Sequence, residues 1–363
     1  MNDLYLPLLL TLGACSGDKS TDTSIVEDTA INDTGAQSDT GSIDTGTTDT
    51  GVTDTGEPAS PPSSFVDEDC IDGQYYETLP DANANIQSFI DSYNSSLYVD
   101  FIYGVLETRY PIGAYILDGG YTSDGLFSGN CIDLFLNNTT SADSVISSLS
   151  TLVHECGHFF DINTSDWGAS NYVMTDSLSY ECSDGSIPDY GGQTFARSLI
   201  NNDIYAPLHP PCANYTDQGC DSYAAIYLNG DPNNTSFESG DQGFNMLQEE
   251  TVQYINSLAT GYAFDDQSSY SRSERDGILT FLWYTMRYLR MARLEHPQAY
   301  TLISQDTCWR ESILTIWGRA WLYLEITKEI SSLGINDDFL LGLVSDPDLL
   351  EEIQYLRDIQ GCN

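Results

Sequence analysis

Two of the chain's four histidines, His154 and His158, are four residues apart, and Glu155 directly follows the first of them. On an α-helix, residues at this spacing leave the same face one turn apart, so both imidazoles can bind one cation. Glu155 would project one step around the helix, within reach of a water molecule on that cation but not of the cation itself. The pattern therefore predicts two metal ligands and a general base, the groups used in metal-assisted hydrolysis.

The stretch His154-Glu155-Cys156-Gly157-His158 resembles the His-Glu-x-x-His signature of the zincin metallopeptidases. The resemblance covers the motif and its helix, and it implies a catalytic Zn²⁺ that hydrolyses bonds in a peptide or protein substrate. It also implies that Glu155 takes the proton of the attacking water. The alternative interpretation is a structural histidine pair or an inactive relic of such a site.

A catalytic zinc site needs a third protein ligand. In the metzincin branch of the zincins, a glycine and then a histidine follow the motif at fixed spacing, where this chain has Asp161 and Thr164. That branch is therefore excluded. With a rise of about 1.5 Å per residue, Asp161 lies too far along the helix to reach a metal between the two histidines. We expect it to accept an imidazole N–H or to be an acid at the helix end.

The gluzincin arrangement, in which a glutamate comes from a later segment, leaves two main candidates. Glu181 has a spacing close to that of thermolysin-like enzymes, but it stands among turn-forming residues beside Cys182. Glu250 borders the apolar side of a helix predicted over 244–262, where an unpaired carboxylate would be costly, whereas Glu249 lies nearly opposite that side. We favour Glu250 as the third ligand. Two alternative ligands remain open, Glu181 and Glu249. It also remains open that Glu250 pairs with an arginine instead of a metal.

The segment Leu247-Gln248-Glu249-Glu250-x-x-x-Tyr254 is similar to poorly characterised bacterial surface proteins that carry the same His-Glu-x-x-His. Tyr227-Leu228-Asn229-Gly230 and an arginine-rich helix around 288–290 extend the similarity over most of residues 100–330. It implies that Glu250 belongs to the site and that Tyr254, one turn further, faces the same way. Zincins also use a tyrosine or histidine to stabilise the oxyanion. The candidates are Tyr254, to which the similarity points, Tyr205 and His209.

The elements that must position these residues follow from the spacing of apolar residues. Helical spacing is found over 81–106, and the motif lies on a helix predicted over 141–160 that opens with Ser-Ala-Asp. Short strands are predicted at 112–117 and 132–136, and 161–240 is irregular, with at most short strands and one short helix near Phe195. Further helices are predicted over 244–262, 275–294, 308–330 and 338–359. This order indicates an α+β fold, with a zincin-like domain whose second half is mostly helical.

The chain has 363 residues and a net charge of −43, from 55 acidic and 12 basic residues. Its 40% hydrophobic content is sufficient for a large core. The negative charge excludes nucleic acid as a partner, favours solubility, and would attract cations or basic substrates.

The first fifteen residues contain a short apolar run that ends in Leu12-Gly13-Ala14-Cys15 and is typical of an export signal. These four residues resemble the lipobox of bacterial lipoproteins, which implies cleavage before Cys15, a lipid anchor on its sulfur, and a place on the outer membrane or cell surface. Residues 16–64 are rich in Asp, Thr and Gly and predict a disordered linker. The triplet Asp-Thr-Gly recurs in this segment, and it is also the catalytic triplet of aspartic proteases. Those enzymes need the triplet between hydrophobic strands, which this segment lacks, so an aspartic protease is not predicted. The catalytic domain is therefore expected at 65–363, and the alternative function is a non-catalytic surface lipoprotein, a binding module or adhesin.

Eight cysteines remain besides Cys15, and an even number in an exported chain predicts up to four disulfides. Cys212 and Cys220 flank a short polar loop and are expected to pair. Cys156 lies inside the metal motif, and we expect it to be a free, buried thiol.

Overall fold

The computed structural model describes residues 65–123, 129–183, 195–214, 216–230, 238–268 and 271–362. The export signal with Cys15 and the linker over 16–64 lie outside these residues. Within the described ranges, no helix is both long enough and apolar enough to cross a membrane.

Helices make up most of the described chain. They are α1 (Gln87–Asp91), α2 (Tyr98–Arg109), α3 (Pro111–Tyr121), α4 (Cys131–Phe135), α5 (Ala142–Ile146), α6 (Leu149–Thr164), α7 (Ala224–Tyr227), α8 (Phe244–Ala263), α9 (Glu274–Glu295), α10 (Pro297–Gln305), α11 (Thr307–Thr327), α12 (Asp337–Val344) and α13 (Pro347–Gln360). Short 3-10 turns lie at Ser95–Leu97, Arg197–Asn202, Ala206–Leu208, Ser239–Asp241, Asp265–Gln267 and Ser331–Leu333. Two strands, β1 (Ala169–Val173) and β2 (Ser179–Ser183), form an antiparallel pair with Tyr172 opposite Tyr180. This mostly helical architecture with a small sheet is compatible with the predicted α+β class.

The strands predicted at 112–117 and 132–136 were wrong, because these segments lie in α3 and α4. Pro111 occupies the first turn of α3, a position that favours helix initiation. The Asn130 side chain caps α4 by accepting a hydrogen bond from the Asp133 amide at 2.8 Å. Short apolar runs have no clear period of their own, so these terminal signals decide the structure.

The predicted motif helix begins as expected, because the Ser141 side chain accepts a hydrogen bond from the Ser144 amide. It is nevertheless divided into α5 and α6. At the break, the hydroxyls of Ser147 and Ser148 both donate to the Ser144 carbonyl, at 2.9 and 3.1 Å. Such bonds compete with the helical pattern. The whole metal motif lies on the second piece, α6.

Helix α6 is held closely between α3 and α8 because glycines lie at both contacts. A Cβ on Gly120 of α3 would lie 2.0 Å from the carbonyl oxygen of Cys156. A Cβ on Gly157 of α6 would lie 1.9 Å from Oε1 of Gln253 on α8. Only glycine permits these approaches, so the motif helix is buried between its two neighbours.

The C-terminal half is helical, as predicted. The helices expected over 244–262, 275–294 and 308–330 are α8, α9 and α11, and the helix expected over 338–359 is divided into α12 and α13 before Pro347. Helix α8 is buried except for the partly exposed Met246, Tyr254 and Tyr262, and it contacts α6, α9 and α11. It is the element that brings residues far along the chain to the metal motif.

Four disulfides are present: Cys70–Cys362, Cys131–Cys156, Cys182–Cys308 and Cys212–Cys220. The predicted Cys212–Cys220 pair is confirmed. The expectation of a free thiol at Cys156 was wrong, since α4 packs on α6 and brings Cys131 to it. The motif helix is thus covalently tied to α4.

Candidate metal centre

His154, His158 and Glu250 converge in the interior. Oε2 of Glu250 lies 3.8 Å from Nε2 of His154 and 3.6 Å from Nε2 of His158. All three side chains are buried, and their ligand atoms lie within 4.8 Å of one another. In the described chain, Oε2 of Glu250 has no hydrogen-bond partner. An orphaned carboxylate oxygen facing two imidazole nitrogens is an arrangement that can bind a metal ion.

The opposite nitrogen of each imidazole is engaged elsewhere. Nδ1 of His154 shares a hydrogen bond with the Ser257 hydroxyl at 3.1 Å. Nδ1 of His158 donates to the Glu249 carboxylate, both of whose oxygens are 2.7 Å away. Metal-binding histidines characteristically use the other ring nitrogen in this way, because the hydrogen bond fixes the ring and its tautomer. The donor set therefore fits a cation with mixed nitrogen and oxygen ligands, of which Zn²⁺ is the common example.

Glu249 was expected nearly opposite the apolar side of its helix, and that expectation was wrong. It is buried against His158, because α8 is enclosed on nearly all sides and has no solvent face here. Nε2 of Gln253 donates to Glu249 at 3.3 Å, and Nδ2 of Asn256 donates to Gln253 at 2.8 Å. Asn256 in turn accepts from Arg319 at 2.8 Å. A continuous buried hydrogen-bond chain thus runs from the metal centre to α11.

Asp161 does not contact an imidazole. Its Oδ1 accepts the Val173 amide at 2.8 Å, and its Oδ2 accepts Nε2 of Gln253 at 2.8 Å. Because Gln253 also donates to Glu249, Asp161 acts on the centre through one intervening side chain. Of the two expected roles of Asp161, the direct imidazole acceptor was wrong, whereas the acid at the helix end agrees with its place in the last turn of α6. Its exclusion as a ligand also agrees with the geometry.

The buried charges strongly perturb one another. Burial, reinforced by Glu249, raises the pKa of Glu250 to about 7, against the opposing charges of His158 and Arg197. Burial alone would lower the pKa of His158, but Glu249 and Glu250 raise it to about 10. Burial and then the charge of His158 lower the pKa of His154. The centre is therefore rich in carboxylates and short of positive charge.

Glu155 and Tyr254 lie beside the three converging side chains. Glu155 is fully buried, and its carboxylate is close enough to His158 to contribute to that histidine's raised pKa. The Tyr254 ring stands edge-on to the His154 ring, with centroids 4.9 Å apart. Its hydroxyl shares a hydrogen bond of 2.9 Å with the Tyr227 hydroxyl. Tyr254 is partly exposed, so the edge of the centre that it forms is close to solvent.

The other candidates lie elsewhere. Glu181 is on β2, exposed, and accepts the Asp166 amide at 3.1 Å. Tyr205 lies under the Arg290 guanidinium, and the His209 ring lies 5.0 Å from the ring of Phe339. Glu181 is not in the group of described residues that can hold the metal, and Tyr205 and His209 have ring contacts to Arg290 and Phe339.

Ser257, Gln253 and Arg197 were not found from the sequence. A signal for the first two existed, since polar residues at 249, 253, 256 and 257 recur at helical spacing along the segment 244–263. Such a stripe on a buried helix marks hydrogen bonding to a partner inside the fold. Arg197 follows a segment without a clear period and gave no comparable signal.

No protein-family model matches the chain, and no curated protein or solved structure matches it either. Function must therefore be inferred from the chemistry of these side chains.

Proposed function

We propose that this chain is a zinc-dependent peptidase with a zincin-like domain, in which His154, His158 and Glu250 hold the metal. The observation that carries the proposal is the convergence of both Nε2 atoms on an orphaned Glu250 oxygen, with Glu155 on the same helix as the histidines. Glu155 is the general base and Tyr254 the donor to the oxyanion.

Bound zinc would supply a Lewis acid that acidifies a water molecule and polarises the scissile carbonyl. Glu155 takes the proton of the attacking water and delivers it to the leaving amine. Tyr254 adjoins His154, and Tyr227 can act as the donor in the hydrogen bond that the two tyrosines share. In that arrangement Tyr254 can donate its own proton to the developing oxyanion.

The proposal extends to an exported protein anchored through Cys15 that acts on peptides or proteins at the cell surface. Four disulfides support an oxidising compartment. The net charge of −43 argues against nucleic acid as a partner.

A second candidate is a non-catalytic surface lipoprotein that retains the metal for structure. The observation that favours it is burial, since His154, His158 and Glu250 are each at most 3% exposed. Structural metal sites are closed, whereas catalytic sites keep one position open to water and substrate. Turnover distinguishes the two candidates.

The first test measures zinc in the full chain after gentle purification, with about one equivalent expected. Less than about a tenth of an equivalent would reject the metal centre. Glu250→Ala should remove the zinc, whereas Glu181→Ala, a matched control on exposed β2, should retain it.

The second test measures cleavage of a mixed peptide library. Glu155→Gln should reduce cleavage by at least about 100-fold, because it removes a general base, and it should leave zinc content unchanged. Glu352→Gln is the control, since that buried carboxylate binds Arg293 at 2.7 Å instead of the metal centre. Zinc binding without cleavage by the unsubstituted chain would favour the non-catalytic candidate.

A further inference from the structure

Arg197 is fully buried yet only partly satisfied. Its Nε donates to the Tyr227 carbonyl at 2.6 Å, and its Nη2 donates to the Ser239 hydroxyl at 3.0 Å. The guanidinium also lies 5.5 Å from the centroid of the Tyr227 ring. Nη1 is buried without any hydrogen-bond partner in the part of the chain described. An unsatisfied donor on a buried cation is costly, which indicates that a ligand completes it.

Most of the other buried arginines in the described chain donate to a carboxylate, which Arg197 does not. Arg319, Arg287 and Arg275 each donate to a carboxylate: Glu77 at 2.9 Å, Asp203 at 2.8 Å and Asp337 at 2.8 Å. Arg310 donates instead to the last carbonyls of α10, Ser304 at 2.9 Å and Gln305 at 3.2 Å, at the negative end of a helix dipole. Among the described residues, the Arg197 guanidinium donates hydrogen bonds to one neutral carbonyl and one neutral hydroxyl. Its missing partner is therefore expected to be an anion.

Arg197 is linked to the metal centre through two tyrosines. It donates to the Tyr227 carbonyl, the Tyr227 hydroxyl shares a hydrogen bond with Tyr254, and the Tyr254 ring adjoins His154. The Tyr254 edge is also the partly exposed side of the centre. A substrate that reached the metal past Tyr254 would have Arg197 close by.

A second link runs through the start of α8. The Arg197 amide donates to the Gln242 carbonyl at 2.8 Å, just before the helix that carries Glu250. The charges of Arg197 and Glu250 act on each other, since burial lowers the pKa of Arg197 and Glu250 opposes that change. Glu250 makes no hydrogen bond to Arg197 in the described structure, and its Oε2 faces the imidazoles. With Glu250 committed to a cation, the charge of Arg197 is left for another anion.

We propose that Arg197 binds a carboxylate of the substrate beside the metal centre, so that the chain selects peptides with a carboxylate next to the scissile bond. This inference rests on the proposed peptidase function. A guanidinium holds a carboxylate through charge-assisted and often bidentate hydrogen bonds, which favours it over a neutral amide. The carboxylate can be the free C-terminus, which gives removal of terminal residues, or the side chain of an aspartate or glutamate.

The test measures peptide binding by calorimetry to the zinc-loaded full chain carrying Glu155→Gln, so that binding is separated from cleavage. Three peptides of otherwise equal sequence are compared: one with a free C-terminus, its C-terminal amide, and an amide with one internal glutamate. We expect the first or the third to bind about 10- to 100-fold more tightly than the plain amide. Whichever of the two is preferred identifies the source of the carboxylate.

Arg197→Met, which keeps most of the length without the charge, should abolish that preference. Arg310→Met is the matched control, since it removes another buried guanidinium away from the centre, and it should retain the preference. If Arg197→Met fails to fold, Arg197→Lys is used, and it should keep only part of the preference because it lacks the guanidinium fork. The assignment would be overturned if the Glu155→Gln chain bound all three peptides equally. It would also be overturned if the preference survived Arg197→Met or were unaltered in Arg197→Lys.

The two proposals fail in different ways. A chain that never cleaves peptides but loses its carboxylate preference on substitution of Arg197 is a binding protein, and the role of Arg197 stands. A chain that cleaves and binds acid and amide peptides equally is a peptidase in which Arg197 has no such role.

Discussion

Glu249→Gln is expected to weaken zinc binding by about 10-fold without abolishing it. Both oxygens of the Glu249 carboxylate lie 2.7 Å from Nδ1 of His158, and this contact holds the ring with Nε2 toward Glu250. Glutamine keeps the size and one acceptor oxygen but loses the charge. The His158 ring should therefore stay near its position while becoming a weaker ligand, because its N–H has a less basic acceptor.

The magnitude follows from the kind of hydrogen bond that is exchanged. Bonds to charged groups contribute about 1.5 to 3 kcal/mol, and neutral ones contribute about 1 kcal/mol. The difference, about 0.5 to 2 kcal/mol, corresponds to a change of about 2- to 30-fold in the dissociation constant. This is smaller than the effect expected for Glu250→Ala, which removes a ligand instead of supporting one.

Zinc affinity is measured by competition with a fluorescent chelator at constant pH, with thermal unfolding of the metal-free protein as a check of folding. Glu352→Gln should leave the affinity unchanged, because that carboxylate binds arginines and is not part of the centre. Unchanged affinity in Glu249→Gln would refute the supporting role of Glu249. A loss as large as that in Glu250→Ala would instead make Glu249 a ligand.

Three further predictions concern stability. In the metal-free chain, Glu249 and Glu250 overcome the effect of burial and raise the pKa of His158 to about 10. The resulting stabilisation is complete below the unfolded pKa near 6.5 and is lost as the pH rises through about 10. The free energy of unfolding, measured with denaturant, should therefore fall from about pH 7 to about pH 10. A rise over this range would contradict the prediction. Gly157→Ala should cost about 1 to 3 kcal/mol in unfolding and weaken zinc binding, since its Cβ would lie 1.9 Å from Oε1 of Gln253, whose side chain is hydrogen-bonded to Asp161, Glu249 and Asn256. Wild-type stability and affinity would show that the Gln253 side chain moves aside without loss. Replacing Cys131 and Cys156 together by serine should lower the free energy of unfolding by about 3 kcal/mol, because the disulfide closes a loop of 25 residues. Calorimetry measures this change, and an unchanged stability would contradict the presence of the bond.

The candidate centre was predictable where it depended on one helix. The spacing of His154 and His158 places them on one face whatever packs around them. Glu250 could be selected because a carboxylate at an apolar border needs a partner, and the structure places it at the imidazoles. Glu249 was misplaced because a helical wheel assumes one buried and one exposed face, whereas α8 is buried nearly all round.

The misjudged features depended on contacts between distant segments in one case and on local signals in the other. The apolar runs of α3 and α4 fit a strand or a helix equally well in isolation. Their packing on α6 places Gly120 on the Cys156 backbone and brings Cys131 to the Cys156 sulfur. Neither the close contact nor the disulfide pairing is encoded in local spacing, which is why the free thiol was wrong. The strands were wrong for a local reason, since Pro111 and Asn130 are helix-initiating signals.

The charge of the buried group supplies an argument for a cation that is independent of catalysis. Around two imidazoles the fold buries four carboxyl groups: Glu155, Asp161, Glu249 and Glu250. Without a metal, protons compensate, since burial raises the pKa of both Glu250 and Asp161, and neighbouring carboxylates hold a proton on His158. Burying each of these carboxyl groups costs free energy that a hydrophobic side chain at the same position would not cost. A divalent cation held by His154, His158 and Glu250 would offset part of that negative charge in place of protons on these ligands, so zinc binding should release protons and weaken as the pH falls.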